Sequence, residues 1–263
     1  MKLRPAGQEW KGQLGGLLRL SKASHKQKTD WFLILYYSVL VLVTDCFIWF
    51  TAGSLAGYDW QYLVVYSLLS YPLWMIIVVK GAAKEQVDLI ETSRWHSADL
   101  LPCGPTLLFI GHYIGKTMKQ RSLHAWLLIY LTLVIVTGSE LLLILLALVN
   151  LVVGAINLVV ASILTKYYAP RGYSSVIQSI FYNVTWIFSG AVFPMGMISQ
   201  SPWFYLLNPF SAAVSAPLML LEGRGFDHTF PILLFQSLGS LAWFAILLLI
   251  TLRAERVRRD KFY

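Results

Sequence analysis

Few side chains in this sequence have the type and spacing to do chemistry. Asp45 is the only acid well inside an apolar run, and a carboxylate at the centre of a bilayer helix costs roughly 2.5–3.5 kcal/mol on insertion scales. It therefore requires a partner, either along a substrate or ion path or in a packed polar contact. Asn150, Gly154, Asn157 and Ala161 recur at helical spacing and give one helix a small, polar face, which suits close packing or the lining of a cavity. Asn183 and the Ser189-Gly190 pair carry the same two readings. The run from Gly111 to Thr117 ends in Gly115-Lys116-Thr117 but has three residues between its first Gly and the Gly-Lys pair, where a phosphate-binding loop needs four, and no buried strand precedes it. Histidines 25, 96, 112, 124 and 228 fall in or near loops with no neighbouring acid at membrane depth, so a hydrolytic or proteolytic site is not expected. The two cysteines, Cys46 and Cys103, offer no metal-ligand spacing, and no catalytic, cofactor or metal site is assigned to this chain.

The elements that must hold these residues are set by hydropathy. The 263 residues are 57% hydrophobic and only 13% charged, with a mean hydropathy of +0.62, against roughly 25% charged residues in soluble domains. Six apolar runs, about 31–53, 61–79, 117–137, 141–165, 173–194 and 231–252, each reach the length of about 20 residues that a bilayer core requires. The expected fold is an all-α integral membrane protein with six transmembrane helices in one domain, 31–263, preceded by a cytoplasmic amphipathic segment, 1–30. In that segment Trp10, Leu14, Leu17 and Leu18 share one helical face, as in a helix lying in the membrane interface. Nothing in residues 1–30 resembles a cleavable signal, because seven basic residues stand there without a long apolar core.

Net charge of +8 could indicate a nucleic-acid partner, but its placement argues for topology instead. Lys and Arg number seven in 1–30, six in 80–121, two in 166–172 and five in 252–263, leaving only Arg224 elsewhere. With six spans those four segments fall on one side, which the positive-inside rule makes cytoplasmic. A multi-pass protein of the plasma (inner) membrane with both termini cytoplasmic is expected, with no nucleic-acid partner.

Two connecting segments are large. The cytoplasmic loop 80–116 carries Glu85, Asp88, Glu91, Arg94 and Asp99, and Pro102 and Pro105 divide it into a helix ending near Leu101, a kink and a second helix over 105–115. Residues 195–230 are apolar yet broken by Pro202, Pro209 and Pro217, which predicts short re-entrant helices on the outer side, since irregular backbone at membrane depth must be satisfied by protein or a watery cavity.

These two segments give the chain its resemblance to the type-2 ABC transporter permeases, the membrane subunits of exporters for drugs, lipids, polysaccharides and peptides. Glu91-Thr92, Leu100-Leu101-Pro102 and Gly115-Lys116 are similar to that family's acidic, Leu-Leu-x-x-Pro and Gly-Lys pattern. Ser189-Gly190-Ala191-Val192-Phe193-Pro194, Pro202-Trp203, Leu207-Asn208-Pro209 and Glu222-Gly223 are similar to its Ser-Gly-x-x-Phe-Pro, Pro-Trp and Asn-Pro signature. The match departs at Cys103-Gly104-Pro105, where a second proline follows the first.

The resemblance implies a coupling helix over 86–101 docking on a separate ATP-binding subunit, with Glu85, Glu91, Leu100, Leu101, Pro102, Gly115 and Lys116 at the coupling region. It implies an external gate at Phe193, Pro194, Pro202, Trp203, Asn208 and Pro209, with Asp45, Asn150, Asn157 and Asn183 on the path or in packing. The partners it implies are two copies of an ABC ATPase subunit holding ATP and Mg, and a second permease subunit as a homo- or heterodimer, all in the lipid bilayer. This chain would itself be no enzyme. The rival classes are a gradient-driven carrier or small channel, which would work alone, and a non-transporting membrane scaffold or immunity protein. The loop's predicted side gives the first test: with Cys46 and Cys103 changed to Ser, Glu85→Cys is expected to react with a membrane-impermeant maleimide in inside-out vesicles and not in intact cells, and labelling from outside would reverse the topology.

Overall fold

A computed structural model describes residues 39, 40, 43, 59–77, 104–117, 121–168, 174–199 and 201–260. The described residues are all-helical, with eight α-helices and two short 3-10 turns. The amino-terminal segment 1–30 lies outside them. So do Asp45 in the first predicted span and Glu85, Glu91, Leu100, Leu101 and Pro102 in the large loop.

The helices follow the apolar runs. α1 spans Trp60–Ile77, α2 Gly104–Thr117, α3 Arg121–Val136, α4 Leu141–Tyr168, α5 Ser174–Phe188, α6 Pro202–Leu207, α7 Ser215–Leu218 and α8 Phe226–Asp260. The 3-10 turns are Met195–Met197 and Met219–Glu222. α2 starts just beyond Pro102, where proline chemistry predicts a second helix. α5 ends six residues before the predicted limit of its run: the chain leaves the helix at Ser189-Gly190 and does not continue to Pro194.

Among the described residues two helices have the length and hydropathy to cross a membrane, Leu141–Thr165 within α4 and Phe226–Val257 within α8. At 1.5 Å per residue the 28 residues of α4 extend about 42 Å and the 35 of α8 about 52 Å, beyond a hydrocarbon core of about 30 Å. α3 and α4 are joined by a tight turn over 137–140, where Gly138 takes φ +74° and its N–H returns to the carbonyl of Ile135 at 3.0 Å.

The core forms where these helices meet the broken segment. Tyr66 and Trp74 of α1, Tyr130 and Val134 of α3, Ala147 and Leu151 of α4 and Leu233 of α8 surround Ala213, Val214 and Ala216. Along α4 the buried positions Leu143, Ala147, Leu151, Ala155 and Leu158 repeat at three- and four-residue intervals, one face of a helix. The opposite face, Leu142, Leu145, Val149 and Val152, is apolar and exposed.

Two glycines set the spacing of this assembly. A Cβ at Gly154 would lie 2.4 Å from the Ala213 nitrogen, and one at Gly239 would lie 2.5 Å from the Leu206 carbonyl oxygen. Both contacts are with backbone, which a side-chain rotation cannot relieve. The small face read in the sequence of α4 is therefore where residues 212–213 seat, and Gly239 is where α6 seats on α8. Gly154→Val is expected to cost about 1–3 kcal/mol, in the range of core overpacking, read as a lower midpoint of thermal unfolding in detergent. Val152→Leu, on the exposed face, is expected to leave the midpoint unchanged.

Candidate functional site

Residues 189–223 turn back between α1, α4 and α8, and their irregular backbone is satisfied by side chains from the surrounding helices. At the start, Gly190 takes φ +84°, and a Cβ there would lie 2.5 Å from Ser215 Cβ and 2.9 Å from the Tyr66 hydroxyl. Only glycine fits such a turn. The Tyr66 hydroxyl donates to the Gly190 carbonyl, and the Ser70 hydroxyl donates to that of Ala191 at 3.1 Å. Ser215 closes the loop from the other side: its backbone N–H donates to the Ser189 carbonyl at 3.0 Å, and its Oγ accepts from Met195 N–H at 3.2 Å. The Tyr130 hydroxyl of α3 donates to the Pro217 carbonyl at 2.7 Å, an acceptor exposed where helix α7 is interrupted.

The middle of the segment is held by an amide network. Asn208 ends α6; its Nδ2 donates to the Phe188 carbonyl at 3.0 Å, and its Oδ1 accepts from Phe210 N–H at 3.2 Å. Gln236 of α8, fully buried, donates through Nε2 to the Asn208 carbonyl at 3.1 Å and to Ser240 Oγ at 3.3 Å. The Ser211 hydroxyl lies 2.8 Å from Gln236 Oε1 and 3.0 Å from the Asn208 carbonyl oxygen, and its single proton serves one acceptor or the other. Asn157 Nδ2 donates to the Ser240 carbonyl at 2.9 Å and Asn150 Nδ2 to the Leu233 carbonyl at 3.1 Å. Both asparagines of the polar stripe of α4 thus bond to the backbone of α8.

A charged cluster closes the end of the segment. Glu222 Oε1 accepts from the Tyr62 hydroxyl at 2.9 Å, and Arg224 Nε lies 2.7 Å from its Oε2. Gly223 and Gly225, both with positive φ, turn the chain into α8. Burial raises the Glu222 carboxyl above its ordinary value, against the opposing pull of Arg224, the Tyr62 hydrogen bond and His228.

The remaining predicted residues fall as follows. Phe193 is half-buried and Pro194 buried, entering the first 3-10 turn; Pro202 is the first residue of α6, where its missing N–H costs nothing; Pro209 is buried. Trp203 is 63% exposed and meets Phe235 edge-on, at 5.4 Å between ring centroids. Asn183 faces outward from α5, away from the amide network. Gly115 and Lys116 lie in the last turn of α2, far along the chain from the broken segment. At the opposite end of α2, the backbone N–H of Thr106 donates to Oε2 of the buried Glu255 of α8 at 3.1 Å.

Gln236, Ser211, Tyr62, Tyr66 and Glu255 were not singled out by sequence. The available signal for Gln236 was its four-residue spacing from Ser240 with Gly239 between them, a polar and small patch in an otherwise apolar run. Among the described residues no group of three or more His, Cys, Asp or Glu could hold a metal ion. No protein-family model matches the chain, and neither a curated protein nor a solved structure matches it.

Because the folded state raises the Glu222 pKa, it holds more protons than the unfolded chain between the ordinary carboxylate value and the raised one. Its contribution is fully present below that window and is lost as pH rises through it. Glu222→Gln is expected to flatten the pH dependence of thermal unfolding across that window, and an unchanged pH slope would exclude Glu222 as its source.

Proposed function

We propose that the chain is the membrane-spanning permease subunit of an ATP-driven exporter, moved by a separate ATPase subunit. The observation that carries this reading is the broken apolar segment 189–223, seated between the long helices with its backbone satisfied by Tyr66, Ser70, Tyr130, Asn208 and Gln236. A protein of the aqueous phase could leave such turns to water, whereas at membrane depth they require protein partners.

Three further features support it. Large apolar side chains line the outward faces of α4 and α8, among them Leu142, Leu145, Leu238, Leu241 and Leu249, as lipid contact demands. All the basic residues but Arg224 lie in the four segments that six spans place on one side. The Ser189-Gly190 and Asn208-Pro209 motifs, on which the resemblance to type-2 permeases rests, fall at two junctions of the broken segment, the Gly190 turn and the Asn208 cap.

In this reading the chain crosses the plasma membrane six times with its termini inside and pairs with a second permease subunit, and two ATPase subunits grip the loop 80–116. Nucleotide-driven closure of those subunits shifts an inward- to outward-facing equilibrium, and residues 195–223 form the outer gate. The transported substrate belongs to the classes such exporters carry: a drug, lipid, peptide or glycan.

The test is reconstitution of the purified chain with its co-purifying ATPase. Hydrolysis is expected only in the complex, and Glu91→Lys is expected to lower transport at least about tenfold while leaving membrane insertion intact, the scale of a lost charged contact of about 1.4 kcal/mol or more. Transport at full rate by the chain alone would favour a gradient-driven carrier.

A further inference from the structure

The outward faces of α4 and α5 differ in their chemistry. On α4 the exposed stripe, Leu142, Leu145, Val149 and Val152, is wholly apolar, as contact with lipid tails requires. On α5 the exposed positions Val176, Ile180, Asn183 and Ile187 follow one another at intervals of four, three and four residues. That is the seven-residue spacing of a coiled-coil seam, which keeps one stripe of a helix against a neighbouring helix. Within this stripe, at the middle of the apolar run 173–194, stands a carboxamide.

Asn183 decides between the occupants of this face. A hydroxyl in a helix can turn back to its own backbone, as that of Thr185 does toward the Phe181 and Tyr182 carbonyls. An asparagine side chain carries two donor protons and an acceptor oxygen, and hydrocarbon offers none of them a partner. Lipid therefore suits the stripe of α4 and does not suit that of α5. A second copy of the chain does. Two copies share one orientation in a membrane, so their α5 helices run parallel, and across a two-fold axis each residue meets its own counterpart at equal depth. Asn183 then faces Asn183, and the N–H of each donates to the carbonyl oxygen of the other, with Ile180 and Ile187 packing on either side.

We infer that α5 is the surface through which this chain binds a second copy of itself, with Val176, Ile180, Asn183 and Ile187 as its seam and the paired Asn183 carboxamides fixing the register. This rests on the membrane-permease reading, whose second subunit it names as an identical chain. The seam ends at Ile187, just before the Ser189-Gly190 turn, so pairing through α5 sets the broken segments of both copies beside the two-fold axis.

The experiment uses the full chain with Cys46 and Cys103 changed to Ser and single cysteines introduced in its native membrane. Under copper phenanthroline, Ile180→Cys and Ile187→Cys are expected to give a disulfide-linked dimer of this chain, and Val152→Cys, on the lipid-facing stripe of α4, to give none. A second measurement leaves the cysteines out. The dimer dissociation constant is read by single-molecule photobleaching of the tagged chain in phosphatidylethanolamine–phosphatidylglycerol vesicles. Asn183→Leu is expected to weaken the dimer about three- to fifteenfold, the scale of one interhelical hydrogen bond in a membrane. Asn183→Gln, which keeps the carboxamide, is expected to retain most of the affinity, a rescue that a merely steric role would not give.

No dimer at the two isoleucines, or equal crosslinking at Val152, would overturn the inference. So would an unchanged constant in Asn183→Leu. A self-paired dimer without an associated ATPase would support the inference and remove the exporter reading. Labelling of Val152→Cys by an impermeant maleimide in sealed vesicles would remove the membrane reading and the inference with it.

Discussion

An interrupted helix inside a packed apolar protein exposes amide and carbonyl groups that nothing nearby in sequence can pair, and each one left buried and unpaired costs about 1–3 kcal/mol. Residues 189–223 contain four such interruptions, at Gly190, after Pro194, at Asn208 and around Pro217. Three are met by side chains from the surrounding helices, and the one after Pro194 by Ser215 of the same segment. Tyr66 and Ser70 reach in from α1, Tyr130 from α3, and Gln236 from α8. Remove that pairing and there is no reason for a proline-broken strip to lie between the long helices. The glycines at 154 and 239 follow from the same demand, since backbone can lie against backbone only where no Cβ intervenes.

Much of this was legible beforehand because it depends on composition over long windows. The positions of α1, α4 and α8, the turn at Gly138, the helix after Pro102 and the broken character of 195–230 follow from apolar run length, proline and glycine. The seven-residue spacing of Asn150 and Asn157 announced one helix face. What it could not announce was which helix lies opposite. The answer, carbonyls of Leu233 and Ser240, lies 83 residues away in both cases.

Other features were hidden for the same reason. Glu222 was visible only as the end of a pattern; its partner Tyr62 is 160 residues distant. Glu255 was hidden by its neighbours, since four arginines make a tail look solvated, yet its side chain is buried and accepts from the Thr106 N–H of α2. The early end of α5 was missed because the apolar run continues through Ala191, Val192 and Phe193, while the left-handed turn at Gly190 redirects the chain regardless of hydropathy. Asn183 was read with the other asparagines as on a path or in packing, and it is exposed on α5.

The paired asparagine contacts carry a mechanical implication. Two points fixed seven residues apart on α4 meet two points seven residues apart on α8, so the helices are held at two successive levels. A single pin would let one rod swivel against the other, and two pins of equal pitch forbid both swivelling and sliding unless both are released together. The two longest helices among the described residues are thereby tied at two levels, and a motion that separates them must break both contacts.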